Sequence, residues 1–283
     1  HLFYAYSRDG KTWTDINGRR PVFNAYDDEV WLRDPYLHRV THNGKTKFHL
    51  IHTWGWDHPA LFHWESDDLI HWTASNGGTR TDDGKIMLMD GHDGGPVSPN
   101  AWAPEFTYDG QTGTFYLYWS SRIGDRQVHH YCTTKDWLTF STPAIYFDPG
   151  FTAIDMTILK EGDTYYAYYK DERNGEKTIR CATSKSLDPR VQRFEGSTPL
   201  LPSRYIEVEG PEVFPAIGGK GWFLYFDKFN GDRGVSYTGC TDPSQHKWYP
   251  IPDDEIRNPT EVKHGSVEII STAELEKLLE HFK

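Results

Sequence analysis

The chain has 283 residues, with 41 Asp and Glu against 30 Lys and Arg, a formal net charge of −11 and 15% aromatic residues. That acidic balance argues against a nucleic-acid surface, which needs a basic stripe to release counterions, and no apolar run reaches the 18 residues of a membrane span. The length is ample for one large all-β domain with a real core, and 11 Trp with 17 Tyr suit both strands and sugar-stacking faces.

The first aromatic segment, LFYAYS, runs into SRDGKTW, in which a small polar residue, an Asp and an aromatic follow one another to Trp13. The order returns as SDDLIHW to Trp72, TTKDWLTF to Phe140, SKSLDPRVQRF to Phe194 and CTDPSQHKW to Trp248. The markers Asp9, Asp68, Asp136, Asp188 and Asp242 are 59, 68, 52 and 54 residues apart, the period of a four-stranded propeller blade with its loops. Between them, KFHLIHTW, TFYLYWSS, TYYAYYK and GWFLYF read as aromatic, β-branched strands behind turn residues, and Trp13, Trp72 and Trp248 read as core.

A second series keeps phase with the first: Asp34 in LRDPYL, Glu105 in AWAPEF, Asp155 in TAIDMTI, Glu209 in VEGPEVF and His264 in KHGSV, at steps of 71, 50, 54 and 55. The long first step contains a Gly- and Asp-rich, loop-like stretch from Asn76 to Asn100. Residues at one place on the innermost strands of a propeller converge on one end of its axis, so the series predicts a single polar site. The phase also predicts a single five-bladed domain over residues 1–283, in which LFYAYS completes the last blade and removes an exposed edge. Ser271 with Glu274 predicts a capped C-terminal helix that packs through Leu275, Leu278, Leu279 and Phe282. Cys132, Cys181 and Cys240 recur in similar settings on successive repeats, so small buried residues are expected rather than disulfides. The chain starts at His1 rather than Met, so a removed leader and a secreted or periplasmic location are expected, with a cytoplasmic one left open.

Together LRDPYL, AWAPEF, the Asp155 strand, VEGPEVF and KHGSV resemble the motifs of glycoside hydrolase family 43, over nearly the whole chain. The resemblance implies a five-bladed propeller that removes arabinofuranosyl or xylosyl units with inversion, Asp34 being the general base, Glu209 the general acid and Asp155 a helper that tunes and orients the acid. Inversion calls for two carboxyl groups roughly 6.5–9.5 Å apart, one to activate water and one to protonate the leaving oxygen. Glu207, two residues before Glu209, and Glu212 beyond the turn are rivals for the acid; the Gly-Pro after Glu209 matches the family and favours Glu209. Glu105 reads as a site-shaping carboxylate, and Trp102, Trp54 and Trp56 as sugar-stacking faces. Lys170 and Arg233 are expected to bond sugar hydroxyls or pair with Asp34 or Asp155. The resemblance also implies that His264 helps hold a structural calcium in the central channel through water, with no cofactor needed for catalysis.

The expected function is an exo-acting, inverting α-L-arabinofuranosidase on plant polysaccharide side chains, working as a monomer on oligo- or polysaccharide. β-Xylosidase, galactofuranosidase or galactanase activity would use the same carboxylates. A non-catalytic carbohydrate-binding propeller would need aromatic sites repeated round the rim, and a sialidase-like enzyme, suggested by SRDGKTW, would need clustered Arg. HExxH, paired CxxC and GxSxG are absent, which disfavours metallohydrolase and serine-hydrolase readings.

Overall fold

The repeated Asp residues close one kind of turn. In the computed structural model, which describes residues 1–23, 32–75, 84–91, 94–201, 207–218, 220–229, 234–259 and 262–283, Asp9 accepts from the N–H of Lys11 and Thr12, Asp68 from Ile70 and His71, and Asp136 from Leu138 and Thr139. The small polar residue two positions earlier accepts from the residue that turns left-handed: Ser7 from Gly10, Ser66 from Leu69, Thr134 from Trp137. The period seen in the sequence is therefore a turn period, each copy satisfying backbone donors at a strand end.

The described residues form four propeller blades and a separate hairpin. The hairpin pairs β1 (Ala5–Ser7) with β2 (Trp13–Asp15). Blade 1 orders β3 (Leu32–His42), β4 (Lys45–Trp54), β5 (Ala60–Ser66) and β6 (Thr73–Ala74), with β7 (Lys85–Met87) also on β5. Blade 2 orders β8 (Trp102–Asp109), β9 (Thr114–Ile123), β10 (Arg126–Thr134) and β11 (Ala144–Phe147). Blade 3 holds β12 (Ala153–Glu161), β13 (Thr164–Asp171), β14 (Ile179–Ser184) and β15 (Glu195–Pro199). Blade 4 holds β16 (Val208–Pro215), β17 (Trp222–Lys228), β18 (Gly234–Cys240) and β19 (Tyr249–Pro250). The chain ends in α1 (Thr272–His281), whose Ser271–Glu274 capping box forms as expected; no described helix is long and apolar enough to cross a membrane.

The cores lie between successive sheets. Val40, Ile51 and Leu61 of blade 1 meet Phe106, Leu117 and Trp119 of blade 2; Tyr118 and Tyr146 meet Met156 and Tyr169; Leu159 and Tyr168 meet Val208, Leu224 and Trp248. Cys132, Cys181 and Cys240 are free and buried on the third strands β10, β14 and β18. Leu275 and Leu278 of α1 join Leu2, Ile16, Phe48 and Trp64 on the open side of blade 1.

The expectation of five blades, with LFYAYS completing the last, is corrected. Strand β1 pairs with β2, and no strand is assigned from Ile251 to Ser271 among the described residues. The last repeat meets its neighbour through side chains instead of building a ladder of its own: on the free edge of β3 the N–H groups of Leu37 and Arg39 donate to the Ser266 hydroxyl and the Glu268 carboxylate. The hairpin is tied down by Arg257 instead, whose carbonyl accepts from Trp13 and whose N–H donates to Lys11.

Each inner strand carries a bulge at one place. The register jumps between Arg33 and Tyr36, Trp102 and Glu105, Ile154 and Thr157, and Glu209 and Glu212. The first bulged residue is left-handed every time: Asp34 (φ 50°), Ala103 (φ 45°), Asp155 (φ 54°) and Gly210 (φ 57°). This corrects the equivalence drawn from sequence. Asp34 and Asp155 are true counterparts, Glu209 sits one residue before the position, and Glu105 lies two residues after it, matching Tyr36, Thr157 and Glu212. A Cβ at Gly210 would meet the His264 ring at 3.1 Å. Gly210→Ala is therefore expected to lower stability by about 1–3 kcal/mol, read from urea denaturation midpoints at unchanged m-value.

Candidate active site

The bulges turn side chains into the channel, and the second strand of each blade holds the bulge of the next. Register places Thr53 opposite Arg33, Ser120 opposite Trp102, Lys170 opposite Ile154 and Asp227 opposite Glu209, one equivalent position four times over. Each reaches forward. The Thr53 hydroxyl donates to the Ala101 carbonyl, the Ser120 hydroxyl accepts from the Asp155 N–H at 3.2 Å, Lys170 Nζ lies 2.9 Å from Glu209 Oε2, and Asp227 Oδ2 accepts from the His264 N–H at 2.8 Å. Asp155 Oδ2 in turn accepts from the Gly210 N–H at 3.0 Å.

These contacts bring together the carboxylates singled out in the sequence. His264 Nδ1 is 3.5 Å from Asp34 Oδ1, with an Arg33 guanidinium nitrogen 4.0 Å from the same oxygen. Burial pushes the Asp155 carboxyl up to about 6, His264 and Lys170 pulling it back while the charges of Glu209 and Asp34 push it further. Burial works against the His264 imidazolium, yet Asp155, Asp34, Asp227 and Glu209 together raise it above its ordinary value. Lys170, expected from sequence to bond sugar hydroxyls or pair with Asp34 or Asp155, bonds Glu209 and, at 2.5 Å, Glu172, and interacts with the charge of Asp155. Glu207 lies just before β16, and its carbonyl accepts from the Phe229 N–H.

Deeper in the channel Glu105 and Glu212 face each other around Thr157 and are both buried. Burial, then the charge of Glu212, holds the Glu105 carboxyl well above the usual range; burial raises Glu212 to about 8 and Asp227 to about 7. Glu212 Oε2 and Asp227 Oδ1 are buried without a hydrogen-bond partner among the described residues. Glu105 accepts from the Tyr118 hydroxyl and is closed off from the channel mouth at 6% exposure.

At the mouth the three tryptophans differ in their surroundings. Trp54 packs on His58 and Phe62, whereas Trp56 is 56% exposed, carries the Arg33 guanidinium 3.4 Å over its ring and meets Trp102 edge-on at 5.9 Å. Trp102 lines a cleft of about 530 Å³ that reaches Glu172. Arg233 and parts of the stretch 76–100 lie outside the described residues. Sequence reasoning passed over Glu172, Asp227 and Arg33. Asp227 had a signal, since WFLYFD matches YYAYYK in the repeat; Glu172 and Arg33 act only through neighbours that folding supplies.

The buried carboxyl groups set a pH dependence. Glu212 has a folded-state value near 8, above its ordinary 4.5, so the folded chain binds more protons between these values and loses stability as pH rises through that window. Glu212→Gln removes the need to bury a charge. In chelator-treated protein its Tm should exceed that of the wild type by a few degrees at pH 8, the gain shrinking towards pH 4.5 in calorimetry.

A family model described as "Probable glycosyl hydrolase domain" of the family 43-related type matches residues 1–276. An α-L-arabinofuranosidase of Bifidobacterium longum subsp. longum is 27% identical over 249 residues, 71% of this chain and 22% of that protein, so the chain spans less than a quarter of that relative. The Bacteroides ovatus xyloglucan PUL GH43B superposes with a TM-score of 0.59 at 18% identity, covering 85% of this chain and 43% of that one. The Podospora anserina α-L-arabinofuranosidase solved with cellotriose gives a TM-score of 0.56 at 12% identity, covering 87% and 83%. An endo-arabinase of Bacteroides thetaiotaomicron gives 0.58 at 14% identity, covering 78% and 80%. These solved structures share the fold. The match over residues 1–276 places the chain by descent: it belongs to this glycosyl hydrolase family, a relative of glycoside hydrolase family 43, and is a glycosidase domain by that membership.

Proposed function

We propose that the chain is an exo-acting, inverting glycosidase that removes α-L-arabinofuranosyl side chains, with Asp34 as general base, Glu209 as general acid and Asp155 as the residue that positions the acid. The observation that carries this reading is the Asp155 bridge: one buried carboxylate accepts from the Gly210 N–H next to Glu209 and interacts electrostatically with both Glu209 and Asp34. The arabinofuranosidase names of the Bifidobacterium and Podospora relatives support the sugar. Glu209 is preferred to Glu207 because it stands on β16 against Lys170, with a third of its side chain open to water. An acid must carry its proton at cleavage, and a sugar covering Glu209 would strip away solvent that favours the charged form. On the opposite side Asp34, set by its bulge next to His264, would take the proton of the attacking water.

The expected outcome is that Asp34→Asn and Glu209→Gln lower kcat/KM on methyl α-L-arabinofuranoside, whose alkoxide must be protonated as it leaves, by roughly 10²–10⁴-fold, while Glu207→Gln stays within a few-fold. A reversal of the two Glu variants would move the acid to Glu207. Proton NMR of the first product should show the inverted anomer; a retained one would refute the mechanism. Release from xylosides or galactosides alone would favour the other sugars open to these carboxylates, and no release from any glycoside a binding propeller.

A structural calcium is part of the proposal. The oxygen donors fit a hard cation, because the unpartnered Glu212 Oε2 and Asp227 Oδ1 both border His264, and a divalent ion would neutralise the carboxylates buried there. Bound, it would add charge neutralisation to the channel, while the proton transfers stay with Asp34 and Glu209. Calcium added after chelation should raise Tm by several degrees, and Glu212→Gln should reduce that rise; an unchanged Tm would leave the His264 imidazolium as the channel's own cation.

A further inference from the structure

The cleft beside Trp102 is built from two blades and belongs to neither proton-transfer group. Trp102 opens β8, Ile154 is the second residue of β12, Arg122 stands at the end of β9 next to Ile123, Asp125 lies in the turn and Gln127 is near the start of β10, with Glu172 just past the end of β13. Its walls are fixed in different ways. The Gln127 amide is buried and paired with the Asn100 amide, and the Trp102 indole N–H donates to the Trp56 carbonyl. Arg122 is exposed, and its guanidinium has no hydrogen-bond partner among the described residues.

We propose that this cleft binds the leaving-group side of the substrate, as main-chain residues of a neutral polysaccharide, with Trp102 as the stacking face and Arg122 as the hydrogen-bonding group. The inference rests on the reading of Glu209 as the acid. The acid protonates the oxygen that departs with the main chain, so that chain must lie on the Glu209 side. Glu172 lines the cleft and shares Lys170 with Glu209, which makes the cleft the continuation of that side. Its chemistry suits hydroxyl groups: an indole face and charges of both signs, so no net charge is asked of the ligand. At about 530 Å³ the cleft is open to solvent and far larger than a methyl aglycone fills. The exposed Trp56, edge-on to Trp102, extends the apolar surface past the cleft.

The test compares two substrates with the same departing sugar, an arabinofuranosyl-substituted xylo-oligosaccharide and methyl α-L-arabinofuranoside. The ratio of their kcat/KM values measures what the main chain contributes. Trp102→Ala should lower that ratio roughly tenfold and Arg122→Ala roughly threefold. An unchanged ratio in both variants overturns the proposal, and Arg122→Ala alone decides it should circular dichroism show that Trp102→Ala does not fold. If the wild type cleaves neither substrate, the hydrolase reading fails. Tryptophan-fluorescence titration with xylotetraose and arabinotriose then decides the cleft on its own: binding to the wild type that Trp102→Ala weakens supports it, and no binding overturns it.

Discussion

The site depends on one repeated reach, from the second strand of each blade to the inner strand of the next. Thr53, Ser120, Lys170 and Asp227 occupy one register position and contact Ala101, Asp155, Glu209 and His264 in turn. Apolar layers between blades fix how far apart the sheets stand, but they are indifferent to small slides of one sheet along another. Directional bonds at the channel end remove that freedom. They act where the bulges leave the ladder interrupted, so backbone and side-chain groups that would otherwise be unpaired are used to align the blades.

The same position changes chemistry along the chain. It is a hydroxyl in blades 1 and 2, an ammonium in blade 3 and a carboxylate in blade 4, and the charges appear where the channel carboxylates gather. Among the described residues Lys170, Lys177, Lys263, His264 and Arg33 are the cations of this end, set against Asp34, Asp155, Glu209, Glu172, Glu105, Glu212 and Asp227. Too few cations for the anions means that burial is relieved by protonation, which is why Asp155, Asp227, Glu212 and Glu105 are all displaced upward. Asp34 and Glu209 are more exposed than these four, with 11% and 33% of their side chains open to water.

The seam between blades 4 and 1 shows how side chains can end a sheet. Ser266 and Glu268 intercept the β3 donors, Glu212 accepts from Val267, and the Tyr225 hydroxyl bonds both the N–H and the carbonyl of Gly265. The hairpin then fills space on both sides, Ile16 joining the core of blade 1 and Trp13 that of blade 4.

The sequence by itself determined the strand-rich class, the blade period, the capped helix, the buried cysteines and the common neighbourhood of Asp34, Asp155 and Glu209, because turn chemistry and strand patterning are local and repeat with the chain. It could not determine phase to the residue. A bulge adds one residue to one strand, so AWAPEF and VEGPEVF align by their acids in sequence but by Ala103 and Gly210 in space. Nor could it choose between Trp54 and Trp56, which differ only in what the neighbouring loop covers. Only the tertiary structure decided that Lys170 meets Glu209 and Glu172, that Glu105 and Glu212 share a dry interior, and that the last repeat donates side chains in place of a sheet, since each of these follows from contacts between segments far apart along the chain.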